Sequence, residues 1–230
     1  MADVLMVLTA AAVGGLLGPA LAALSHTVPA DGPLLTPGLI RGQPAPRRRI
    51  ATVSAAAAAT FSVLAAAIGA TAALPAYLFM GAAGVLLAVI DAEHHRLPDR
   101  IVLPSYVIGA TLLLTAAIVT GDIAAWVRAL LAAAAVFAAF LVLALISPDG
   151  FGFGDVKLGG LLGMYLGWLG WDDVVLGVAA GFVIGTAVAL ALVALRRATL
   201  RSPVAFGPAL LVGALVAVTA GPDLFSAYGG

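Results

Sequence analysis

Two aspartates stand beside long apolar segments of this sequence, and their side chains could do chemistry together. Asp91 closes one apolar run and opens the polar segment 91–99, whereas Asp155 ends a turn that contains Gly152 and Gly154. Because burying a charge beside lipid is costly, a carboxylate at such a position indicates a functional site. Two of them at one face of a membrane predict a catalytic pair.

The chemistry open to such a pair is acid–base catalysis. Two carboxyl groups that lie close together do not both ionise readily, so the pair retains one proton over a useful pH range. The ionised member can then accept a proton from water while the protonated member polarises a peptide carbonyl, as in aspartic proteases. This chemistry requires neither a metal nor a cofactor, and we expect none.

The composition indicates a membrane protein. Of 230 residues, 63% are hydrophobic and 10% are charged, and the mean hydropathy is +1.16, whereas soluble domains carry about 25% charged residues. The formal net charge is zero, which gives no reason to expect binding to nucleic acid. The absence of cysteine excludes disulfides, cysteine nucleophiles and thiolate metal sites. His94 and His95 are adjacent and cannot share a helix face, so a metal site is not expected.

Eight apolar runs predict an all-α polytopic fold, since a helix needs about 20 apolar residues to cross a bilayer. The runs cover roughly 4–24, 50–70, 74–91, 101–120, 124–146, 156–171, 174–195 and 204–221. The third and sixth are short, which suits helices that end at a polar cavity. We expect residues 1–49 to form the first helix and an irregular loop rich in Pro, Gly and Arg, and residues 50–230 to form a membrane-embedded catalytic domain.

The basic residues predict the orientation of the chain. Ten of the eleven fall in odd-numbered loops, and only Arg128 lies toward the other side. Cytoplasmic loops are rich in Lys and Arg, so the odd loops are predicted to be cytoplasmic and both termini to lie outside. The ten are Arg41, Arg47, Arg48, Arg49, Arg96, Arg100, Lys157, Arg196, Arg197 and Arg201. The run Arg47 to Arg49 is interpreted as a topology anchor at anionic lipid headgroups.

The neighbours of Asp155 are interpreted as supporting residues. Gly152 and Gly154 are predicted to adopt backbone angles closed to other residues and to let a substrate strand approach the main chain. Lys157 either places its ammonium group at the membrane interface or stabilises the ionised form of Asp155. Glycines at 159, 163 and 167 form a small-residue stripe that predicts close helix packing.

The neighbours of Asp91 leave alternatives open. Pro98 disfavours helix at Leu97, which predicts an unwound segment to which an extended peptide could add as a strand. Asp99 is interpreted as the N-cap of the fourth helix. Glu93 competes with Asp91 for the catalytic carboxylate, and geometry has to decide between them.

The two motifs together resemble those of the prepilin peptidases, also called type IV leader peptidases. In that family the first aspartate is followed by a hydrophobic-Pro-Asp/Asn element, here at 97–99, and the second lies in Gly-x-Gly-Asp-x-Lys, here at 152–157. The two aspartates are 64 residues apart and in the family's order. Residues 206–208 resemble the family's C-terminal Pro-x-Gly-Pro element, with Ala205 where a proline is common. The resemblance covers roughly residues 50–221.

The resemblance implies an aspartic endopeptidase of the bacterial cytoplasmic membrane, with Asp91 and Asp155 as its catalytic pair facing the cytoplasm. Its substrates would be precursors of type IV pilins or pseudopilins, which carry a short basic leader before a hydrophobic helix. Larger family members have a domain with paired Cys-x-x-Cys zinc motifs and also methylate the new amino terminus. Because this sequence has no cysteine, it is interpreted as a short form that cleaves without methylating.

Two other functions compete with the peptidase. A multi-span transporter or channel could use intramembrane aspartates to relay protons or bind cations, but it predicts carboxylates near the bilayer midplane rather than at span ends. A scaffold of a secretion apparatus predicts no consequence when either aspartate is replaced by asparagine. The peptidase is favoured because the two motifs and the predicted topology agree independently.

Overall fold

The computed structural model describes residues 2–27, 45–147, 151–196 and 205–226, and every regular element among them is an α-helix. The helices are α1 (Ala2–Thr27), α2 (Arg47–Ile68), α3 (Leu74–His94), α4 (Asp99–Thr120), α5 (Ile123–Ile146), α6 (Phe153–Leu169), α7 (Trp171–Ala194) and α8 (Gly207–Ser226). Each helix overlaps one predicted span, so the prediction of an all-α polytopic membrane protein is confirmed. Arg41, Arg197 and Arg201, used above for the orientation, lie outside the described residues.

Six of these helices, α1 to α5 and α7, are long and apolar enough to cross a membrane. Helix α6 has only 17 residues, which corresponds to about 25 Å at 1.5 Å per residue and is shorter than a typical hydrocarbon core of about 30 Å. Its shortness was predicted. Helix α3 was also expected to be short, but it has 21 residues because it continues beyond Asp91 to His94.

The chain divides into two compact units, Met1–Val119 and Thr120–Gly230. The predicted division into 1–49 and 50–230 concerns function and stays a prediction. In the first unit, α1 packs closely on α2 because two glycines of α1 leave no room for a side chain. A Cβ at Gly14 would lie 2.6 Å from the carbonyl oxygen of Ala57, and one at Gly18 would overlap Ser54.

Helix α3 is the most buried of the six spans. Of an 18-residue stretch of α3, 61% is buried, against 22% to 33% for the other five. Its apolar residues Val85, Leu86 and Ile90 belong to a core that also includes residues of α1 and α2. Asp91 follows Ile90 directly and is therefore held on the most enclosed helix of this group.

In the second unit, α6 packs against α5 along the predicted glycine stripe. A Cβ at Gly159 would overlap the ring of Phe140, and a Cβ at Gly163 would lie 2.8 Å from the carbonyl oxygen of Ala132. Residues 158–167 of α6 are buried without interruption, so the helix is enclosed on all sides rather than amphipathic. This close packing fixes the helix whose first turn carries Asp155.

Candidate active site

Asp91 lies in the last turn of α3 and is 5% exposed. Its backbone carbonyl accepts a 2.8 Å hydrogen bond from the amide of His95. His95 adopts a left-handed conformation (φ 51°, ψ 40°) and terminates the helix, which is a common way to satisfy the last carbonyls of a helix. The carboxyl group is thus attached to regular helix close to its end, rather than to an irregular loop.

The segment after α3 is broken as Pro98 predicted. Residues 96–98 are non-helical, and the carbonyl of Pro98 accepts hydrogen bonds from the amides of Ile101 (3.0 Å) and Val102 (3.1 Å). Pro98 therefore occupies the N-cap position of α4, and the interpretation of Asp99 as N-cap is wrong by one residue. Asp99 is the first residue of the helix, where the helix macrodipole still favours its negative charge. Strand addition at Leu97 stays a prediction.

Glu93 is held by an arginine from the start of α2. The guanidinium group of Arg49 donates a 2.8 Å hydrogen bond to the carboxylate of Glu93, whose side chain is 42% exposed. The same guanidinium also donates to the hydroxyl of Ser25, near the end of α1. The interpretation of Arg49 as a lipid-facing anchor is therefore wrong, whereas Arg47 and Arg48 are exposed and stay compatible with that role.

Asp155 lies in the first turn of α6. Gly152 is the N-cap of this helix, and its backbone amide donates a 3.3 Å hydrogen bond to Oδ2 of Asp155, three residues later. The side chain therefore satisfies one of the amides that a helix start leaves without an intrahelical acceptor. Asp155 is half-buried, and its carboxylate is oriented in part by its own helix.

The prediction of unusual backbone angles at Gly152 and Gly154 is wrong. Gly152 is extended (φ −76°, ψ 146°), and Gly154 is already within α6. Among the described residues, the glycines with positive φ are Gly69 and Gly121. The helix begins earlier than predicted, so ordinary N-cap and helical angles serve at both positions. A Cβ at Gly152 would instead lie 3.3 Å from Oδ2 of Asp155 and would crowd the capping contact.

Lys157 lies two residues beyond Asp155. Its ammonium nitrogen is 4.7 Å from the centre of the Phe153 ring, one helical turn back. This distance allows a cation–π interaction. The ring of Phe153 also lies edge-on to Phe137 of α5, with 6.5 Å between ring centres. Lys157 is thus partly covered by its own helix, and both of its predicted roles stay open.

A cluster of four phenylalanines supports the turn before Asp155, and we name it the phenylalanine cluster. It consists of Phe140, Phe151, Phe182 and Phe206, with ring centres of contacting pairs 5.1 to 6.2 Å apart. Edge-to-face and offset ring pairs at such distances are favourable. Phe206 belongs to the third motif, so that motif has a visible role: it delivers one ring to the packing behind the Gly152 turn.

The first unit therefore contains Asp91, Glu93 and the 97–99 element, and the second contains the 152–157 element. The sequence did not predict that Arg49 joins Ser25 to Glu93, nor did it predict the phenylalanine cluster. A weak signal for Ser25 and Arg49 was available, because Ser25 directly follows one apolar run and Arg49 directly precedes the next. No spacing rule could have paired the four phenylalanines, which come from separate elements.

When the chain is compared with known protein families, one family matches it. A model of the type IV leader peptidase family matches residues 77–218, which include both aspartates. No solved structure gives a significant match.

Three relatives illustrate the match, each described as a prepilin leader peptidase/N-methyltransferase. The protein of Bacillus subtilis (strain 168) is 32% identical over 161 residues, which is 67% of this chain and 58% of the relative. Those of Stutzerimonas stutzeri and Pseudomonas aeruginosa are 27% and 28% identical over 143 residues, which is 62% of this chain and 48% of each relative. The chain spans about half the length of the curated relatives it matches. Because the family model covers more than half of its residues, the chain belongs to the type IV leader peptidase family.

Proposed function

We propose that this protein is a membrane aspartic endopeptidase that removes the short basic leader from type IV prepilin or pseudopilin precursors. Asp91 and Asp155 are its catalytic pair. The observation that carries the proposal is that both aspartate motifs lie inside the segment matched by the family model, residues 77–218. Family membership supports a peptidase, and the two motifs supply the carboxyl groups that an aspartic mechanism needs.

The choice of Asp91 over Glu93 is supported by their surroundings. Asp91 is 5% exposed at the end of a membrane span, and a carboxyl group is costly to withdraw from water there unless it has a function. Glu93 is 42% exposed and is paired with Arg49. The guanidinium group of Arg49 occupies Oε2 of Glu93, an oxygen that would otherwise be open to the attacking water molecule.

In the proposed mechanism the two carboxyl groups share one proton and hold a water molecule against the scissile peptide bond. The ionised carboxylate accepts a proton from that water, whose oxygen attacks the carbonyl carbon. The protonated carboxyl group donates its proton to the carbonyl oxygen, which gives a neutral tetrahedral intermediate. The intermediate collapses when the carbon–nitrogen bond breaks. As that bond breaks, the carboxyl group that accepted the proton of water donates it to the leaving nitrogen, and the other carboxylate takes a proton from a hydroxyl group of the intermediate, which leaves a carboxylic acid and a free amine.

We further propose that the protein cleaves without methylating the new amino terminus. The chain has no cysteine, whereas the methylating members of the family that it resembles carry paired Cys-x-x-Cys motifs. The three relatives above are described as both peptidase and N-methyltransferase, and this chain matches about half of their length.

The proposed location is the bacterial cytoplasmic membrane, with the active site at the cytoplasmic face. Ten of the eleven basic residues fall in the odd-numbered loops or in the helix ends beside them, and such a bias marks the cytoplasmic side of a membrane protein. Asp91 and Asp155 adjoin these loops. A precursor whose basic leader remains in the cytoplasm would meet them there.

The test is co-expression of the protein with a type IV prepilin from its own genome, in a host that lacks its own leader peptidase. Mass spectrometry of the pilin amino terminus shows both whether the leader has been removed and whether the new terminus is methylated. We expect loss of the leader and an unmodified amino terminus. A leader that stays attached to every prepilin and pseudopilin of that genome would contradict the peptidase assignment. A methylated terminus would contradict cleavage without methylation.

A further inference from the structure

Three helix ends of the first unit are joined by one guanidinium group. Nη2 of Arg49 lies 2.8 Å from Oε2 of Glu93 on α3. Nε and Nη2 of Arg49 lie 3.1 and 2.9 Å from the hydroxyl oxygen of Ser25 on α1. That hydroxyl is fully buried and donates its own hydrogen to the carbonyl of Ala22 at 2.9 Å. We call this group of Arg49, Ser25 and Glu93 the arginine clasp.

The clasp lies next to the proposed catalytic carboxyl group in sequence. Glu93 is two residues after Asp91 on the last turn of α3, and the helix ends at His94. Residues 96–98 are non-helical and lead directly to α4. The last turn of a helix has fewer backbone hydrogen bonds than its middle and frays readily. The turn that carries Asp91 therefore gains an external attachment through Glu93.

Arg49 differs from the two neighbouring arginines in its exposure and in its contacts. Arg47 and Arg48 are exposed, whereas the side chain of Arg49 is 17% exposed. Its planar fork reaches two oxygen atoms on two different helices, which a flexible ammonium group of lysine would do poorly. Removing the guanidinium group would leave the hydroxyl of Ser25 buried with one partner fewer and would release Glu93.

We propose that Arg49 is a positioning residue for Asp91, acting through Glu93. By tying the last turn of α3 to the ends of α1 and α2, it holds Asp91 in the orientation that the reaction requires. Small displacements of a catalytic group lower the rate strongly, because the reacting atoms must meet in a narrow range of geometries. The role of Asp91 in this inference rests on the proposed function. The mechanical part, that Arg49 restricts the motion of the last turn of α3, does not.

The mechanical part can be measured without any substrate. Because the chain contains no cysteine, Ala92→Cys offers a single attachment site for a nitroxide spin label, at an exposed residue between Asp91 and Glu93. Electron paramagnetic resonance in liposomes would report the mobility of the last turn of α3. We expect Arg49→Gln to increase that mobility and Arg48→Gln, which removes the same charge from the adjacent exposed position, to leave it unchanged. Equal mobility in Arg49→Gln and the parent would overturn the proposal.

The catalytic part, that Arg49 raises the rate by positioning Asp91, is tested by measuring the kinetics of prepilin cleavage by the unlabelled protein. We expect Arg49→Gln to lower kcat about tenfold while KM stays within about twofold, and Arg48→Gln to have no effect. The exchanged pair Arg49→Glu with Glu93→Arg should recover part of the kcat lost by Arg49→Glu alone. A purely structural role would lower the amount of folded enzyme and leave kcat per folded molecule unchanged.

The two proposals fail in distinguishable ways. If the parent protein cleaves no prepilin, the proposed function is wrong, and the spin-label measurement still decides whether the clasp orders α3. If the parent cleaves and Arg49→Gln cleaves with the same kcat, the positioning role is wrong and the peptidase stands. If the exchanged pair is no better than Arg49→Glu alone, the ion pair with Glu93 is not the means by which Arg49 acts.

Discussion

Oδ2 of Asp155 accepts a hydrogen bond from the backbone amide of Gly152 at 3.3 Å, so one side chain is both a proposed catalytic group and a helix cap. Asparagine retains an oxygen that can accept this bond, whereas alanine does not. We expect the free energy of unfolding of Asp155→Asn to lie within about 0.5 kcal/mol of that of the parent. For Asp155→Ala we expect it to be lower by up to about 1 kcal/mol. Thermal unfolding in detergent checks both. Equal losses in the two variants would show that the cap does not stabilise α6.

Arg128 caps the C-terminal end of α6, the helix whose first turn carries Asp155. Its guanidinium group donates to the carbonyls of Gly167 and Trp168, both at 2.7 Å, which are among the last carbonyls of α6. Hydrogen bonds from a charged group contribute about 1.5–3 kcal/mol, so Arg128→Ala should lower the free energy of unfolding by roughly that amount. The free energy of unfolding of Arg128→Lys should lie between those of the parent and Arg128→Ala, because one ammonium group cannot make both hydrogen bonds of the planar guanidinium group.

The control for Arg128 is Arg48→Ala, which removes one positive charge from an exposed position. We expect it to leave the unfolding midpoint unchanged. If Arg48→Ala and Arg128→Ala shifted the midpoint equally, net charge rather than the capping contact would be responsible. The capping role also explains why Arg128 is the one basic residue on the side predicted to be non-cytoplasmic.

The packing of α6 on α5 can be tested at Gly163. A Cβ there would lie 2.8 Å from the carbonyl oxygen of Ala132 and 3.0 Å from the Cβ of Val136. Backbone cannot move aside as the end of a side chain can, so we expect Gly163→Ala to cost about 1–3 kcal/mol. Unfolding by a graded denaturing detergent measures the change.

The matched control is Gly15→Ala in α1, where the new methyl group would meet only the Cβ of Ala58, at 3.9 Å. Alanine is the better helix former by about 1 kcal/mol, so this variant should be as stable as the parent or more stable. A destabilised Gly15→Ala would mean that glycine is required in these helices for a reason other than close packing.

Hydropathy was sufficient to predict the helices, because the length of each apolar run is a local property of the sequence. The bounds of α3 and α6 were less accurate. Helix α3 continues to His94 because the left-handed His95 can terminate it in polar surroundings. Helix α6 begins at Phe153 because Gly152 and Asp155 supply its cap. Both details depend on hydrogen bonds that a hydropathy window does not contain.

The motifs likewise predict Asp91 and Asp155 as the catalytic pair, which stays a prediction, but they do not predict the residues that hold the helix ends. Arg49 and Glu93 are 44 positions apart, and Arg128 is 39 from Gly167. Such partners are set by which helix ends become neighbours, and a single sequence does not encode this in its spacing. The interpretation of Arg49 as a lipid anchor was wrong for this reason, since a positive charge at a helix start fits both roles.

The most direct test of the central claim, that Asp91 and Asp155 are both catalytic, is prepilin cleavage in isolated membranes by Asp91→Asn and Asp155→Asn. The control is Asp122→Asn, which makes the same chemical change at the cap of α5, where asparagine also serves. Protein amounts in the membrane are compared first. We expect both active-site variants to leave the leader attached while Asp122→Asn cleaves like the parent. Cleavage at the parental rate by either active-site variant would contradict the catalytic pair.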